Sequence, residues 1–294
     1  MEAPSRSIAP GRGIALMLLG SALLTVNDTV LKWLTAGYPT GQIMFMRGIF
    51  VILPVALLVW RAGGLAVLRI GSRGAHALRA ACVCSGAFLF ITGLSFLPLA
   101  EAIAITFAGP LFITALAAPM LGEVVGWRRW TAVLVGFVGV LIITRPTGAA
   151  IQWAALLPLT ASLCGALRDL ITRKISTSES SIALLCTSTL GVVLAGLATA
   201  PFGWKPIAAF DLGLMVFSGV LIGSAHFLLI ECFRLAEAAL VAPFKYSNLL
   251  WAILFGFVVW GDLPDRWTLT GAAIVVASGL YILRREAQRQ QPQA

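Results

Sequence analysis

The stretch "APFKYSNLLWAIL", residues 242–254, sets a lysine inside an apolar run that extends from 238 to 260. A charge at the centre of a bilayer costs about 2.5–3.5 kcal/mol on insertion scales. Lys245 lies about seven residues into the run, about 10 Å deep at the helical rise. It has no acid at i±3 or i±4, and Glu237 is eight residues away. Its ammonium must therefore face a wet cavity or meet an acid of another helix, such as Asp28 or Glu101. Asn248 shares its face at i+3, Ala252 and Val241 continue the stripe, and Tyr246, Ser247 and Trp251 flank it. Pro243 removes a backbone hydrogen bond just before and favours a bend. A cation, an amide, hydroxyls and aromatic rings suit a small zwitterion or a carboxylate with an apolar tail.

A second broken run, "AITFAGPLFITALAAP" (104–119), places Gly109-Pro110 at its middle, with Thr106, Phe107, Pro110 and Thr114 on one face. Gly109, Pro110 and Pro243 are the candidate hinges. Two interrupted apolar helices at corresponding positions point to a site between them. The candidate binding residues are Lys245, Tyr246, Asn248, Trp251, Thr106, Phe107 and Thr114. Asp28 and Lys32 stand four apart, as do Asp169 and Arg173. That spacing places each pair on one helix face, so each is expected to neutralise itself, with a gating or ion-coupling role as the alternative. Arg47 and Arg168 lie close enough to span ends for their stems to snorkel, although Arg47 could also help form an outer gate. With Lys245 the one deep cation, multiply phosphorylated cargo is not expected. His226 follows Ser224 by two residues, so the two side chains diverge on a helix and do not make a hydrolase pair.

The elements that must hold these residues are apolar. Of 294 residues, 59% are hydrophobic and only 11% charged, too little charge to cover a soluble surface. Apolar runs near 13–35, 42–61, 77–96, 99–121, 127–144, 151–173, 181–202, 209–231, 238–260 and 266–284 are long enough to cross a hydrocarbon core of about 30 Å. They are continuously apolar, which excludes an alternating β-barrel. The fold class is an all-α polytopic membrane protein of ten transmembrane helices. The polar segments 1–12 and 285–294 are tails. Fourteen basic residues fall on the side of both termini and three (Arg145, Lys205, Arg266) on the other, which makes the termini cytoplasmic. The net charge of +9 is loop charge of this kind, and no nucleic-acid partner is expected. The odd set of five cysteines (Cys82, Cys84, Cys164, Cys186, Cys232) reads as small packing residues, with no disulfide framework, metal or cofactor.

The chain also repeats itself. "LLGSALLTVNDTVLKWL" (18–34) and "LPLTASLCGALRDLITRKI" (157–175) align Ser21 with Ser162, Asp28 with Asp169 and Lys32 with Arg173. "LAEAI" (99–103) matches "LAEAA" (235–239), and "GE" (122–123) matches "GD" (261–262), each followed by a tryptophan (Trp127, Trp267). Halves 13–144 and 151–284, each of five helices, must enter the membrane in opposite senses. That duplication is a signature of alternating-access proteins.

The stretch "PLAEAIAITFAGPLFITALAAPMLGE", the helix ending "GVLIITRP" and their weaker echo resemble the drug/metabolite transporter superfamily, in its ten-helix EamA group. Within that group the chain looks most like amino-acid exporters, including aromatic amino-acid exporters. The resemblance spans about 13–284. It implies two inverted five-helix repeats around a central cavity bounded by helices 1, 3, 4, 6, 8 and 9. It further implies export of small amino-acid-like metabolites across a bacterial inner membrane, with the lipid bilayer and a small-molecule substrate as partners. Carriers of drugs, purines or nucleotide sugars, a channel and a membrane assembly factor are the alternatives. Nothing in the sequence requires an oligomer, and a monomer is compatible with it.

Overall fold

The computed structural model describes residues 10–121, 127–144, 153–175, 179–235 and 242–290. They form α1 (Pro10–Thr35), α2 (Thr40–Arg61), α3 (Arg73–Leu94), α4 (Leu99–Thr106), α5 (Gly109–Leu121), α6 (Trp127–Thr144), α7 (Trp153–Ile175), α8 (Ser181–Leu197), α9 (Ala209–Leu235), α10 (Ser247–Trp260) and α11 (Arg266–Gln290). No strand occurs among these residues. Six helical segments are long and apolar enough to cross a membrane, and four shorter apolar ones run 130–143, 182–197, 244–260 and 266–282. Large apolar side chains such as Trp60, Leu134, Phe210 and Val258 cover the outside. In water that surface would aggregate; in lipid it costs nothing. The chain is a multi-pass membrane protein.

Polar residues inside the helices are satisfied locally. Thr25 Oγ1 donates to the Ser21 carbonyl and Thr29 Oγ1 to that of Thr25, so α1 carries hydroxyls without opening its ladder. Asn27 is buried and accepts from Ser218 Oγ on α9 at 2.6 Å. α1 packs along α9, α3 along α7, α2 along α8 and α6 along α11, while α10 lies on α1 and α4. Glycines permit the closest of these crossings. A Cβ on Gly271 of α11 would stand 2.6 Å from the Gly139 carbonyl of α6, and one on Gly139 would stand 2.8 Å from the Gly271 carbonyl. Backbone touches backbone there, as small-residue stripes allow in membranes.

Clasps bind the loops at both ends of α2. At one end Gln42 exchanges two hydrogen bonds with the backbone of Lys205, Tyr38 donates to Asp211 at 2.7 Å, and Lys205 Nζ reaches the Gly37 carbonyl. At the other, the Glu179 carboxylate accepts from the backbone amides of Gly71 and Ser72 and meets His76 Nε2 at 3.0 Å. His76 sits buried in the first turn of α3, its Nδ1 3.0 Å from Thr187 Oγ1. The amide of Gly71, the His76 ring and the amide of Ser72 together hold the Glu179 carboxyl below its ordinary value. A lowered folded value contributes stability above the unfolded value that is lost as pH falls through the folded one. Melting of the wild type should therefore hold down to pH 4.5 and decline below it. Glu179→Gln should melt lower at neutral pH and lose the acid limb of that profile; an unchanged acid limb would place the titration elsewhere.

Candidate functional site

The fourth and ninth apolar runs break where their Pro and Gly residues stand. α4 ends at Thr106, and α5 begins at Gly109 with Pro110 in its first turn, where a missing N–H is tolerated. Three-residue bonds from Phe107 to the Ala104 carbonyl and from Ala108 to that of Ile105 close the end of α4. In the second half a 3₁₀ turn over Ala242–Tyr246 carries Pro243 and Lys245, and the α-helical pitch starts only at Ser247. The side chain of Pro243 lies outside the described residues, as does Val241. The two breaks face each other: the Phe107 and Tyr246 rings meet edge to face, centroids 5.0 Å apart. Interrupted helices leave backbone groups and pitch changes at membrane depth, tolerated only where protein or a cavity receives them.

Beside this junction lies a concentration of unmet polarity. Among the described residues, five buried side-chain polar atoms have no hydrogen-bond partner: Tyr246 OH, Ser247 Oγ, Asn248 Oδ1, Trp251 Nε1 and Ser21 Oγ. Four of the five fall within one and a half turns of one another, at the start of α10. An unpaired buried polar group costs about 1–3 kcal/mol, and such clusters mark sites more than they mark packing. The Tyr246 hydroxyl lies against Gly279 of α11, where a Cβ would have no room. Trp251 stacks on Phe255 at 6.4 Å between centroids.

Lys245 is exposed, and the charges acting on it are Asp169 and then Arg168, both on α7. α7 and α10 each pack on α4.

The neutralisation expected within α1 is not found. Asp28 accepts from Asn27 Nδ2 at 3.0 Å and feels the buried Arg47 of α2, which is no interface snorkeler. Lys32, near the end of α1, donates instead to the Leu97 carbonyl at 2.6 Å, lies 5.2 Å from the centroid of the Trp260 ring, and feels Asp262 and Glu101. A four-residue spacing allows a pair but does not compel it when other helices offer partners closer to each group. Asp169 bonds its neighbour Arg168 at 2.9 Å; the side chain of Arg173, its expected partner, lies outside the described residues, as does that of His226. Thr106 and Thr114 spend their hydroxyl protons on the Ile103 and Pro110 carbonyls of their own helices. Phe107 is thus the one first-half candidate seen in contact with the second half's break. Ser21, the fifth orphaned hydroxyl, was not among the candidates read from sequence. No group of histidines, cysteines and acids able to hold a metal occurs among the described residues.

Residues 11–145 match the model of the EamA-like transporter family. A riboflavin transporter of Rhizobium johnstonii is 31% identical over 99% of this chain and 96% of its own. The chain belongs to the EamA-like transporter family. An S-adenosylmethionine uptake transporter of Rickettsia bellii is 29% identical, covering 93% and 94% of the two chains. A pseudopaline exporter of Pseudomonas aeruginosa is 23% identical over 92% and 96%. One solved crystal structure matches with a TM-score of 0.66 over 99% of this chain at 18% identity, a likeness of fold alone. Membership in the EamA-like family makes the broken helices and their orphaned polar atoms parts of a transport protein. These relatives carry names of three cargoes, none of them an ordinary amino acid, and of both directions.

Proposed function

We propose that the chain is an alternating-access carrier of ten transmembrane helices in two inverted five-helix repeats, 13–144 and 151–284. The helix pairings support the repeat. Exchanging α1 with α7, α2 with α8, α3 with α9 and the α4–α5 segment with the 242–260 segment carries α1–α9 onto α7–α3. The same exchange carries α2–α9 onto α8–α3 and leaves α2–α8 and α6–α11 in place. Such symmetry suits a central site exposed first to one side and then to the other.

The cargo is a small amino-acid-like metabolite with an aromatic or heteroaromatic body. The observation that carries this reading is the row of orphaned atoms on Tyr246, Ser247, Asn248 and Trp251 beside the Phe107–Tyr246 contact. Rings supply area for a flat body, the amide and indole N–H fix its edge, and Lys245 takes a negative head. The family's riboflavin and S-adenosylmethionine transporters favour a heteroaromatic cargo over the plain amino acids that the sequence suggests. Without an evident ion-coupling residue the cargo's own gradient drives movement in either direction. Liposomes containing the purified chain and loaded with labelled tryptophan, phenylalanine, riboflavin or S-adenosylmethionine should show saturable efflux of at least one; efflux of none would reject the cargo class.

The carrier sits in a bacterial inner membrane with both termini in the cytoplasm. Reporters fused after Arg289 and after Gly71 should read inside, and one after Gly148 outside. An outside signal at Gly71 would reverse the assignment.

A further inference from the structure

A cavity of about 350 Å³ lies where the last turn of α1, the first turn of α9 and the last residue of α10 come together. Lys32, Trp33, Gly37, Tyr38, Asp211 and Trp260 are among its walls, and none of the orphaned residues 246–251 is. A cavity of that volume falls within the range of small-molecule sites, about 300–1,000 Å³. Its two charged residues, Lys32 and Asp211, have opposite sign, yet each is held by a neutral group. Lys32 Nζ donates to the Leu97 carbonyl at 2.6 Å and stands 5.2 Å from the centroid of the Trp260 ring. Asp211 Oδ2 accepts from the Tyr38 hydroxyl at 2.7 Å, and that hydroxyl accepts from the Ala208 amide at 3.1 Å. An ammonium has three donors and a carboxylate two accepting oxygens, so both groups are positioned and both keep capacity for a further partner. Lys205 Nζ, on the Gly37 carbonyl at 2.7 Å, fixes the loop that forms one wall. Asp262 and Glu101 also act on Lys32 but do not line the cavity.

We propose that this cavity is a holding site for a zwitterion at one mouth of the carrier. Lys32 takes the carboxylate, Asp211 takes the ammonium, and the Trp33 and Trp260 rings receive an apolar or aromatic tail. A ligand with a single charge would answer one wall and leave the opposite charge desolvated without a partner, which is costly. A zwitterion answers both, and the indole faces add area for a flat tail. Lys32, expected to neutralise Asp28, thereby becomes a ligand-binding residue. The chemistry of the site stands on the cavity itself; its role, holding cargo before the break at Phe107 and Tyr246, rests on the carrier reading above.

Binding of labelled phenylalanine to the detergent-purified chain tests the site without requiring transport. Lys245→Ala serves as the background, because it weakens the central site and leaves this cavity untouched. Saturable phenylalanine binding should persist there. Competition by 2-phenylethylamine, which lacks the carboxylate, and by 3-phenylpropionate, which lacks the amine, should be at least tenfold weaker than by phenylalanine. Asp211→Asn can still accept from Tyr38 and so keeps the wall in place. It should weaken phenylalanine at least tenfold while labelled 3-phenylpropionate binds no worse. Lys32→Met should lose both probes, and Asp211→Asn decides the matter should Lys32→Met fail to fold. The proposal is overturned by absence of saturable binding in Lys245→Ala or by equal competition from the singly charged analogues. Phenylalanine binding unchanged in Asp211→Asn, or an equal loss of both probes in that variant, overturns it too. Binding with the expected preferences in a chain that transports nothing would keep the site and reject the carrier reading; transport without those preferences would reject the site alone.

Discussion

Lys245→Ala should give a chain that inserts and folds normally but moves its cargo at least tenfold more slowly, a loss of about 1.4 kcal/mol or more of cargo binding. The expectation for stability follows from the charges around it. Where a buried lysine neutralises an otherwise unpaired acid, its removal strands that acid at a cost of about 3–5 kcal/mol. Here the acid facing Lys245 is Asp169, and Asp169 already holds Arg168 at 2.9 Å. Asp169 keeps its bond to Arg168, and an expensive charge is removed from membrane depth. Melting temperature should hold or rise while transport falls. A parallel fall in both would make Lys245 a structural residue; unchanged transport would remove it from the site.

The largest loss of stability is expected from a single methyl group. Gly271→Ala places a Cβ 2.6 Å from the Gly139 carbonyl, 2.6 Å from Ile143 Cγ1 and 3.1 Å from the Ile143 backbone nitrogen. Two of these three atoms are backbone and cannot rotate away, so α6 and α11 must separate. Overpacking of this kind costs about 1–3 kcal/mol. Gly213→Ala, where nothing lies within 4 Å of the added carbon, should hold or gain stability, because alanine favours a helix over glycine. Equal melting of the two variants would refute the close crossing of α6 and α11.

The apolar runs and their two interruptions, at Gly109-Pro110 and at Pro243, were legible because lipid imposes one strong rule, internal satisfaction of every backbone group. Helical spacing alone already named Tyr246, Ser247, Asn248 and Trp251 together, and each carries one of the orphaned polar atoms. What spacing could not give was choice among helices. Asp28 and Lys32 share a face, yet Asp28 accepts from Asn27 while Lys32 donates to the Leu97 carbonyl beside Trp260, since other partners compete with the one four residues away. Arg168 was read as an interface residue, and spacing gave no sign that its guanidinium bonds the neighbouring Asp169. Thr106 and Thr114 were placed on the correct helices, but their bonds to Ile103 and Pro110 depend on rotamers that a one-dimensional pattern does not carry. Cargo is hardest to read, because family members share the scaffold and differ in a few cavity side chains.

Counterflow across liposomes is the most direct test of a carrier that alternates a central site. Vesicles holding the purified chain are filled with unlabelled cargo, drawn from the tryptophan, phenylalanine, riboflavin and S-adenosylmethionine set, and diluted into a trace of the same compound labelled. The account predicts that label transiently accumulates inside above its equilibrium level, and that Lys245→Ala loses this overshoot while remaining folded. Equilibration of the label without an overshoot, at a rate indifferent to unlabelled cargo, would show an open pore and contradict the alternating-access account.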